Sequence, residues 1–160
     1  ARQGFTILDL DYRPGFWESS EQARAEGRAA LEQVTVVIGN LAECELVTGE
    51  SDPRRAADAL LSTGVELAVI KMGPAGVLAR TPERTVAVPA VPVDVVNGLG
   101  AGDGFGGALC HGLLSGLGLA ETLRFASAAG AIVASRRACA TAMPTRDEVM
   151  SLLGTMGGDD

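Results

Sequence analysis

The segment Asn97-Gly98-Leu99-Gly100-Ala101-Gly102-Asp103-Gly104-Phe105-Gly106-Gly107 sets one carboxylate inside a run of glycines. Glycine and alanine leave the backbone unobstructed, so successive N–H groups can converge on one anion. The apolar residues Ala108–Leu117 predict a helix that opens here. Its first turn adds unpaired N–H groups and the positive end of a dipole, about half a charge. Such a turn suits an anion that gains charge as it reacts. Asp103 stands beside it and can accept the proton of a hydroxyl as the oxygen attacks phosphorus. The N–H groups of Gly100, Ala101, Gly102 and Asp103 would then stabilise the transferred group. An acidic helix cap is the plainer role for Asp103, yet a cap needs none of the flanking glycines.

Gly102, Gly104 and Gly107 also satisfy GxGxxG, the dinucleotide fingerprint, which would make the chain an NAD-dependent oxidoreductase. The next segment is helical, however, where that fold requires a second strand ending in an acid. A Walker-type loop is excluded, because no Gly-Lys-Ser/Thr follows.

The elements that must position this turn are predicted from periodicity and punctuation. Gly4–Asp11 reads as a buried strand that ends in carboxylates and is broken by Arg13-Pro14-Gly15. Ser19 or Ser20 caps a helix to about Gln33, and Val34–Ile38 is a second strand. A short helix over Leu41–Val47 stops at Gly49. Asp52-Pro53 opens another helix over Arg54–Ser62. Val65–Ile70, Gly76–Arg80 and Thr85–Val91 are β-rich. Beyond Ala101 the chain is almost wholly helical: Asp103–Ser115, Leu119–Arg137 and Thr145–Leu153, with a frayed tail. Strands alternating with helices imply an α/β fold of three layers around a largely parallel sheet. The chain opens almost directly on a buried strand, which suggests the later part of a longer protein.

Several other residues stand where chemistry is done. Asn40 and Glu43 have the spacing of a capping pair. Lys71 ends a strand at a Gly-Pro turn, and strand C-terminal ends are where open α/β sheets bind ligands. Arg13 follows a strand end and can hold a carboxylate in a bidentate contact. His111 lies about two turns beyond Asp103 on its helix and reads as a packed or partly exposed residue. Trp17 packs the Asp11–Pro14 turn or faces a ligand.

The chain has 160 residues, enough for one domain with a substantial core, and 47% of them are apolar. Its net charge of −7 argues against binding a nucleic-acid backbone, which needs clustered Lys and Arg. Any phosphate must be held locally, by backbone N–H groups, a few cations or a metal. No stretch reads as a membrane span or a signal peptide. Cys44, Cys110 and Cys139 form no CxxC pair and read as free thiols in a reducing cytoplasm.

Gly100-Ala101-Gly102-Asp103, with Phe105 and Gly107-Ala108-Leu109 behind it, resembles the GAGD signature of the ribokinase-like (PfkB) carbohydrate kinases. Asn40-Leu41-Ala42-Glu43 resembles that family's N-x-x-E motif, and Lys71-Met72-Gly73-Pro74-Ala75-Gly76 its K-x-G-x-x-G turn. Arg124–Gly130 resembles the helix flanking the adenine. Together, in family order, they cover nearly the whole chain.

The resemblance implies a ribokinase-like three-layer sandwich with a mostly parallel sheet. Residues 1–160 would be its C-terminal, nucleotide-binding and catalytic part, without the N-terminal sugar site and lid. It implies ATP and Mg²⁺ as cofactors, Asp103 as base, and Gly100, Ala101 and Gly102 as the anion hole. Asn40, Glu43, Lys71, Gly73 and Gly76 would serve the nucleotide, with Asn40 and Glu43 reaching Mg²⁺ through water. Many members also place a monovalent cation such as K⁺ beside the loop that holds Asn97 and Leu99.

Asp9-Leu10-Asp11-Tyr12-Arg13-Pro14 with Phe16-Trp17 resembles the segment of family members that act on keto-deoxy sugar acids. There Arg13 would bind substrate, together with Asp103. Asn97–His111 and Ala140–Pro144 are most similar to members that phosphorylate a hydroxymethyl group of 5-dehydro-2-deoxygluconate, in inositol catabolism. 2-Keto-3-deoxygluconate is the near alternative acceptor. The sequence departs from the family at Gly98, where many members have Thr, and at Gly104, where most have Ala. Family members form homodimers through the lid. A nucleotide-binding module without catalysis is the remaining alternative.

Overall fold

The computed structural model describes residues 4–156. Two compact units divide the chain between Ala87 and Val88. The first alternates strand and helix: β1 (Ile7–Asp9), α1 (Ser20–Leu31), β2 (Val36–Asn40), α2 (Leu41–Thr48), α3 (Pro53–Leu61) and β3 (Leu67–Lys71). The hairpin strands β4 (Val77–Arg80) and β5 (Thr85–Val88) follow. The second unit is helical: α4 (Ala101–Leu114), α5 (Leu119–Ala134) and α6 (Arg146–Met156).

Helices α1, α2, α3 and α6 begin where short polar side chains can satisfy the first free N–H groups. Ser19 Oγ accepts from the Gln22 N–H at 3.1 Å. Asp52 Oδ1 accepts from Arg54 and Arg55 N–H at 3.0 and 2.9 Å, with Pro53 as the first helical residue. Thr145 and Glu148 exchange bonds at the head of α6, and Arg136 pairs with Glu148. Asp52→Ala is expected to cost about 1 kcal/mol, lowering Tm by roughly 2–4 °C in thermal unfolding.

The sheet has the order β1-β2-β3-β4-β5. β1, β2 and β3 pair in parallel, as expected, because helices carry the chain back between them. β3 and β4 pair antiparallel, since only the short Gly73–Ala75 turn joins them. The sheet is therefore mixed, with its parallel part at the β1 side. Val37, Ala68, Ile70 and Leu78 point to one face, against Leu31 of α1, Cys44 and Val47 of α2, and Leu60 of α3. Val36–Gly39 and Leu67–Ile70 are buried throughout.

Several element bounds differ from expectation, and the strand ends follow pairing. β1 is only Ile7–Asp9, β2 runs on to Asn40 because Asn40 pairs with Lys71, and β5 ends at Val88. Residues 89–100 have no regular structure. In the second unit α5 is apolar almost all round and correspondingly buried. The short Ser115–Gly118 connection returns it alongside α4. Glycines allow the close approach: a Cβ on Gly112 would lie 2.6 Å from Thr122 Cγ2. One on Gly130 would lie 3.0 Å from the Ala101 carbonyl. α6 stays helical through Met156, beyond the Leu153 at which fraying was expected; residues 157–160 lie outside the described part.

Candidate active site

In the second unit the glycine turn is tied to the end of α5. The Ala134 carbonyl accepts from Val96 and Asn97 N–H at 2.8 and 3.0 Å. Asn97 Nδ2 donates to the Arg137 carbonyl at 3.2 Å, while Asn97 Oδ1 accepts from Leu99 N–H at 3.0 Å. Both ends of this amide are thus engaged, so a monovalent cation ligated by Asn97 Oδ1 would share it with the Leu99 N–H.

Gly100 is the N-cap of α4, with φ +84°. That left-handed conformation favours glycine, and a Cβ there would stand 2.7 Å from Cys139 Sγ. Ala101 N–H reaches the Gly98 carbonyl at a long 3.3 Å. The N–H groups of Gly100, Gly102 and Asp103 have no acceptor among the described residues. They stand at the positive end of α4, where an anion can be held.

Asp103 is therefore the third residue of α4 and not its cap. Its side chain is exposed and makes no hydrogen bond or ion pair among the described residues. The carboxylate lines a cavity of about 330 Å³ with His111, Phe125, Met143, Arg146 and Val149. His111 is exposed, its ring 5.4 Å from that of Phe125. Gly104 closes the helix interface, since an added methyl would meet Val133 Cγ2 at 2.9 Å. Gly98, by contrast, has open space around it. The three glycines of the dinucleotide pattern all lie inside α4, with an irregular segment between them and β5, so no strand-to-helix turn is built from them.

In the first unit, the carboxyl ends of β1, β2 and β3 gather a second polar cluster. Asn40 and Glu43 form the expected capping box: Asn40 N–H donates to Glu43 Oε2 at 2.7 Å, and Glu43 N–H to Asn40 Oδ1 at 2.9 Å. Asn40 pairs with Lys71 across the ladder, and Lys71 Nζ lies 3.6 Å from Asp9 Oδ1. That oxygen is buried and lacks a hydrogen-bond partner. The Lys71–Asp9 contact was not legible from spacing, because it depends on strand register.

Gly76 closes the turn after Lys71 with φ 90° and ψ −144°, and its carbonyl accepts from Met72 N–H at 2.8 Å. Gly73 opens the same turn. Arg13 pairs with Asp11 at 2.9 Å on the exposed segment after β1, so its guanidinium already holds a carboxylate.

This cluster fits a hydrated Mg²⁺ better than a directly ligated metal. The capping box engages one oxygen of each side chain, leaving a single Glu43 oxygen. No group of three or more His, Cys, Asp or Glu gathers among the described residues. Mg²⁺ typically keeps several waters and takes its other oxygens from phosphates.

Cys44, fully buried beneath the cluster, has its thiol pushed up to about 12, first by burial and then by the Glu43 carboxylate. Cys44 is expected to resist thiol reagents near pH 8 in the folded chain, while the half-buried Cys110 and Cys139 react. Because the folded value is raised, its contribution to stability is full below the unfolded thiol value, near 8.5. It is lost as pH rises from there toward about 12. Timed thiol labelling checks this; rapid Cys44 modification in native buffer would contradict it.

In the first unit polar groups stand at the carboxyl ends of parallel strands, and in the second a glycine turn opens a helix; each is a place where an α/β protein can hold phosphate. The pfkB family carbohydrate kinase description matches residues 1–146, and the chain belongs to that family. It is 34% identical over 149 residues to 5-dehydro-2-deoxygluconokinase of Listeria innocua, covering 91% of this chain and 46% of the relative. A similar structure is the aminoimidazole riboside kinase of Salmonella enterica, complexed with aminoimidazole riboside and an ATP analogue. It has a TM-score of 0.81 and 27% identity, over 92% of this chain and 51% of that one. A provisionally assigned ribokinase II of E. coli in complex with ATP and Mg²⁺ is also similar. Its TM-score is 0.83 at 26% identity, over 92% of this chain and 47% of that one. The fold is accordingly ribokinase-like, and the chain spans about half the length of the relatives it matches.

Proposed function

We propose that the chain is the C-terminal, nucleotide-handling part of a sugar-acid kinase that moves the γ-phosphoryl of ATP to a hydroxymethyl group. The observation that carries this reading is the Asp103 carboxylate, without a hydrogen bond or ion pair among the described residues, in the first turn of a helix where the N–H groups of Gly100, Gly102 and Asp103 have no acceptor among them either. A carboxylate so placed is available to take a proton, and the N–H groups are available to a transferring phosphoryl.

Asp103 accepts the proton of the attacking hydroxyl. The N–H groups of Gly100, Gly102 and Asp103 stabilise charge on the equatorial phosphoryl oxygens, and that of Ala101 joins by releasing its long bond to Gly98. Asn40 and Glu43 would hold Mg²⁺ through water, and Lys71, kept near its strand end by Asp9, would face the nucleotide with the Gly73–Gly76 turn. When bound, Mg²⁺ neutralises phosphate charge. Arg13 exchanges Asp11 for the carboxylate of the sugar acid. The motif wording and the Listeria innocua relative favour 5-dehydro-2-deoxygluconate as acceptor, over 2-keto-3-deoxygluconate. The free thiols are in keeping with a reducing cytoplasm.

Product formation from ATP and each of the two sugar acids tests the reading. It is measured with the chain alone and with the unmatched half of the Listeria innocua relative supplied in trans. Phosphorylation of 5-dehydro-2-deoxygluconate in preference to 2-keto-3-deoxygluconate is expected. The reverse preference would reassign the acceptor. Turnover of neither, with tight NAD(H) binding, would overturn the kinase reading.

A further inference from the structure

The segment before α4 meets the far end of α5 at a set of carbonyls. The last four carbonyls of a helix are orphans at the negative end of its dipole, where a cation is ordinarily favoured. In α5 each has a donor instead. Ala131 accepts from Ser135 N–H at 3.0 Å, Ile132 from Ser135 Oγ at 2.8 Å and Val133 from Arg136 N–H at 3.0 Å. Ala134 takes two, the N–H groups of Val96 and Asn97. In the loop beyond, the Cys139 carbonyl accepts from Ala142 N–H, and the Ala142 carbonyl from Arg136 Nη1 at 2.9 Å.

Asn97 completes the set. Its residue is half-buried, and its two partners leave the amide one orientation. Leu99 N–H can only donate and the Arg137 carbonyl can only accept. Oδ1 must therefore face the first, at 3.0 Å, and Nδ2 the second, at 3.2 Å. Turning the amide over would set N–H against N–H and oxygen against oxygen. The side chain thus presents a positive hydrogen to a carbonyl that a cation would use. An ion such as K⁺ is held by oxygens that replace its water. The oxygens here are already claimed, and a cation at Oδ1 would stand against the Leu99 N–H. This donor set does not fit the ion that many family members place beside the loop.

We propose that the Asn97 amide stands in for that cation: Asn97 is a positioning residue that ties the glycine turn to the loop after α5, and the chain needs no K⁺ there. The tie bears directly on the phosphate site. Asn97 Oδ1 fixes Leu99, whose neighbour Gly100 is the N-cap of α4. Gly100 in turn lies against the same loop, since a Cβ on it would stand 2.7 Å from Cys139 Sγ. An aspartate at position 97 would turn an oxygen toward the Arg137 carbonyl, and two facing oxygens call for a cation between them. The bearing on phosphoryl transfer rests on the proposed function, whereas the contacts themselves do not.

The test compares KCl with tetramethylammonium chloride at equal ionic strength, on the isotopically labelled chain. Nucleotide is left out, so failure of the kinase reading cannot mimic failure of this one. The backbone amide resonances of Asn97, Leu99 and Gly100, the Asn97 side-chain NH₂ pair and Tm are expected to be the same in both salts. Asn97→Asp is expected to lose roughly 3 °C or more of Tm in tetramethylammonium chloride, as a hydrogen bond becomes a repulsive contact. K⁺ should restore most of that loss as it saturates the site. Should the variant fail to fold without K⁺, refolding in KCl reads the same recovery, and the titration of the unaltered chain still decides. A saturable, K⁺-specific response at Asn97–Gly100 in the unaltered chain would overturn the proposal. So would an Asn97→Asp chain as stable as the parent in both salts, or one whose lost stability K⁺ does not restore.

Discussion

Asp103→Asn is expected to lower the rate of phosphoryl transfer by roughly 10²- to 10⁴-fold, the range for loss of a positioned general base. Asparagine keeps the size of the side chain and removes its capacity to accept a proton. Because the carboxylate makes no hydrogen bond or ion pair among the described residues, little else changes with it. Its one structural contribution is a favourable charge in the first turn of α4. That interaction is worth about 0.3–1 kcal/mol, so Tm should shift only slightly. The kinetic signature is equally specific: kcat and kcat/KM fall together, as they do when an interaction present only in the transition state is lost. Near-normal turnover in the variant would reduce Asp103 to a favourable charge at a helix end.

The largest loss of stability is expected from Gly112→Leu. A Cβ at this position would meet Thr122 at three atoms: Cγ2 at 2.6 Å, Oγ1 at 2.9 Å and Cβ at 3.0 Å. Thr122 is fully buried and β-branched, so it has no open rotamer to retreat into. The two helices would have to separate, exposing the apolar surface of α5. Overpacking of this kind costs about 3 kcal/mol, which lowers Tm by roughly 6–12 °C for a chain of this size. Gly107→Ala on the same helix is the control. Nothing lies within 4 Å of its Cβ position, and the site is exposed. Removing a helical glycine there should raise stability by up to about 1 kcal/mol. Thermal unfolding followed by circular dichroism separates the two; equal effects would mean that α4 and α5 do not approach as closely as described.

Much of the candidate site was legible because its signals are local. Asn40 and Glu43 sit one helical turn apart, and the same spacing that specifies a capping box is what the structure forms. The glycine density around Asp103 predicted a turn with free N–H groups, and Gly100 adopts the left-handed φ that such a turn needs. The cap separates the two roles that the sequence left open for Asp103. An acid near a helix start reads as an N-cap, yet Gly100 takes that position and leaves Asp103 inside the first turn.

What stayed hidden depends on pairing between distant segments. Nothing in the Val34–Ile38 pattern shows that β2 runs to Asn40, because that extension comes from Lys71 across the ladder. Asp9 becomes the neighbour of Lys71 only once β1, β2 and β3 are in register. The antiparallel turn to β4 follows from a connection too short for a crossover, which apolar alternation does not encode. The GxGxxG pattern shows the opposite failure. Its residues match, and its context does not, since all three glycines are helical.

The most direct test of a phosphate site at the head of α4 is a titration of the isotopically labelled chain with ATP and Mg²⁺, read by its backbone amide resonances. The account predicts the largest shifts at Gly100, Ala101, Gly102 and Asp103, with smaller ones at Asn40, Glu43 and Lys71. Shifts that leave Gly100–Asp103 untouched, or that NAD(H) produces there and ATP does not, would contradict it.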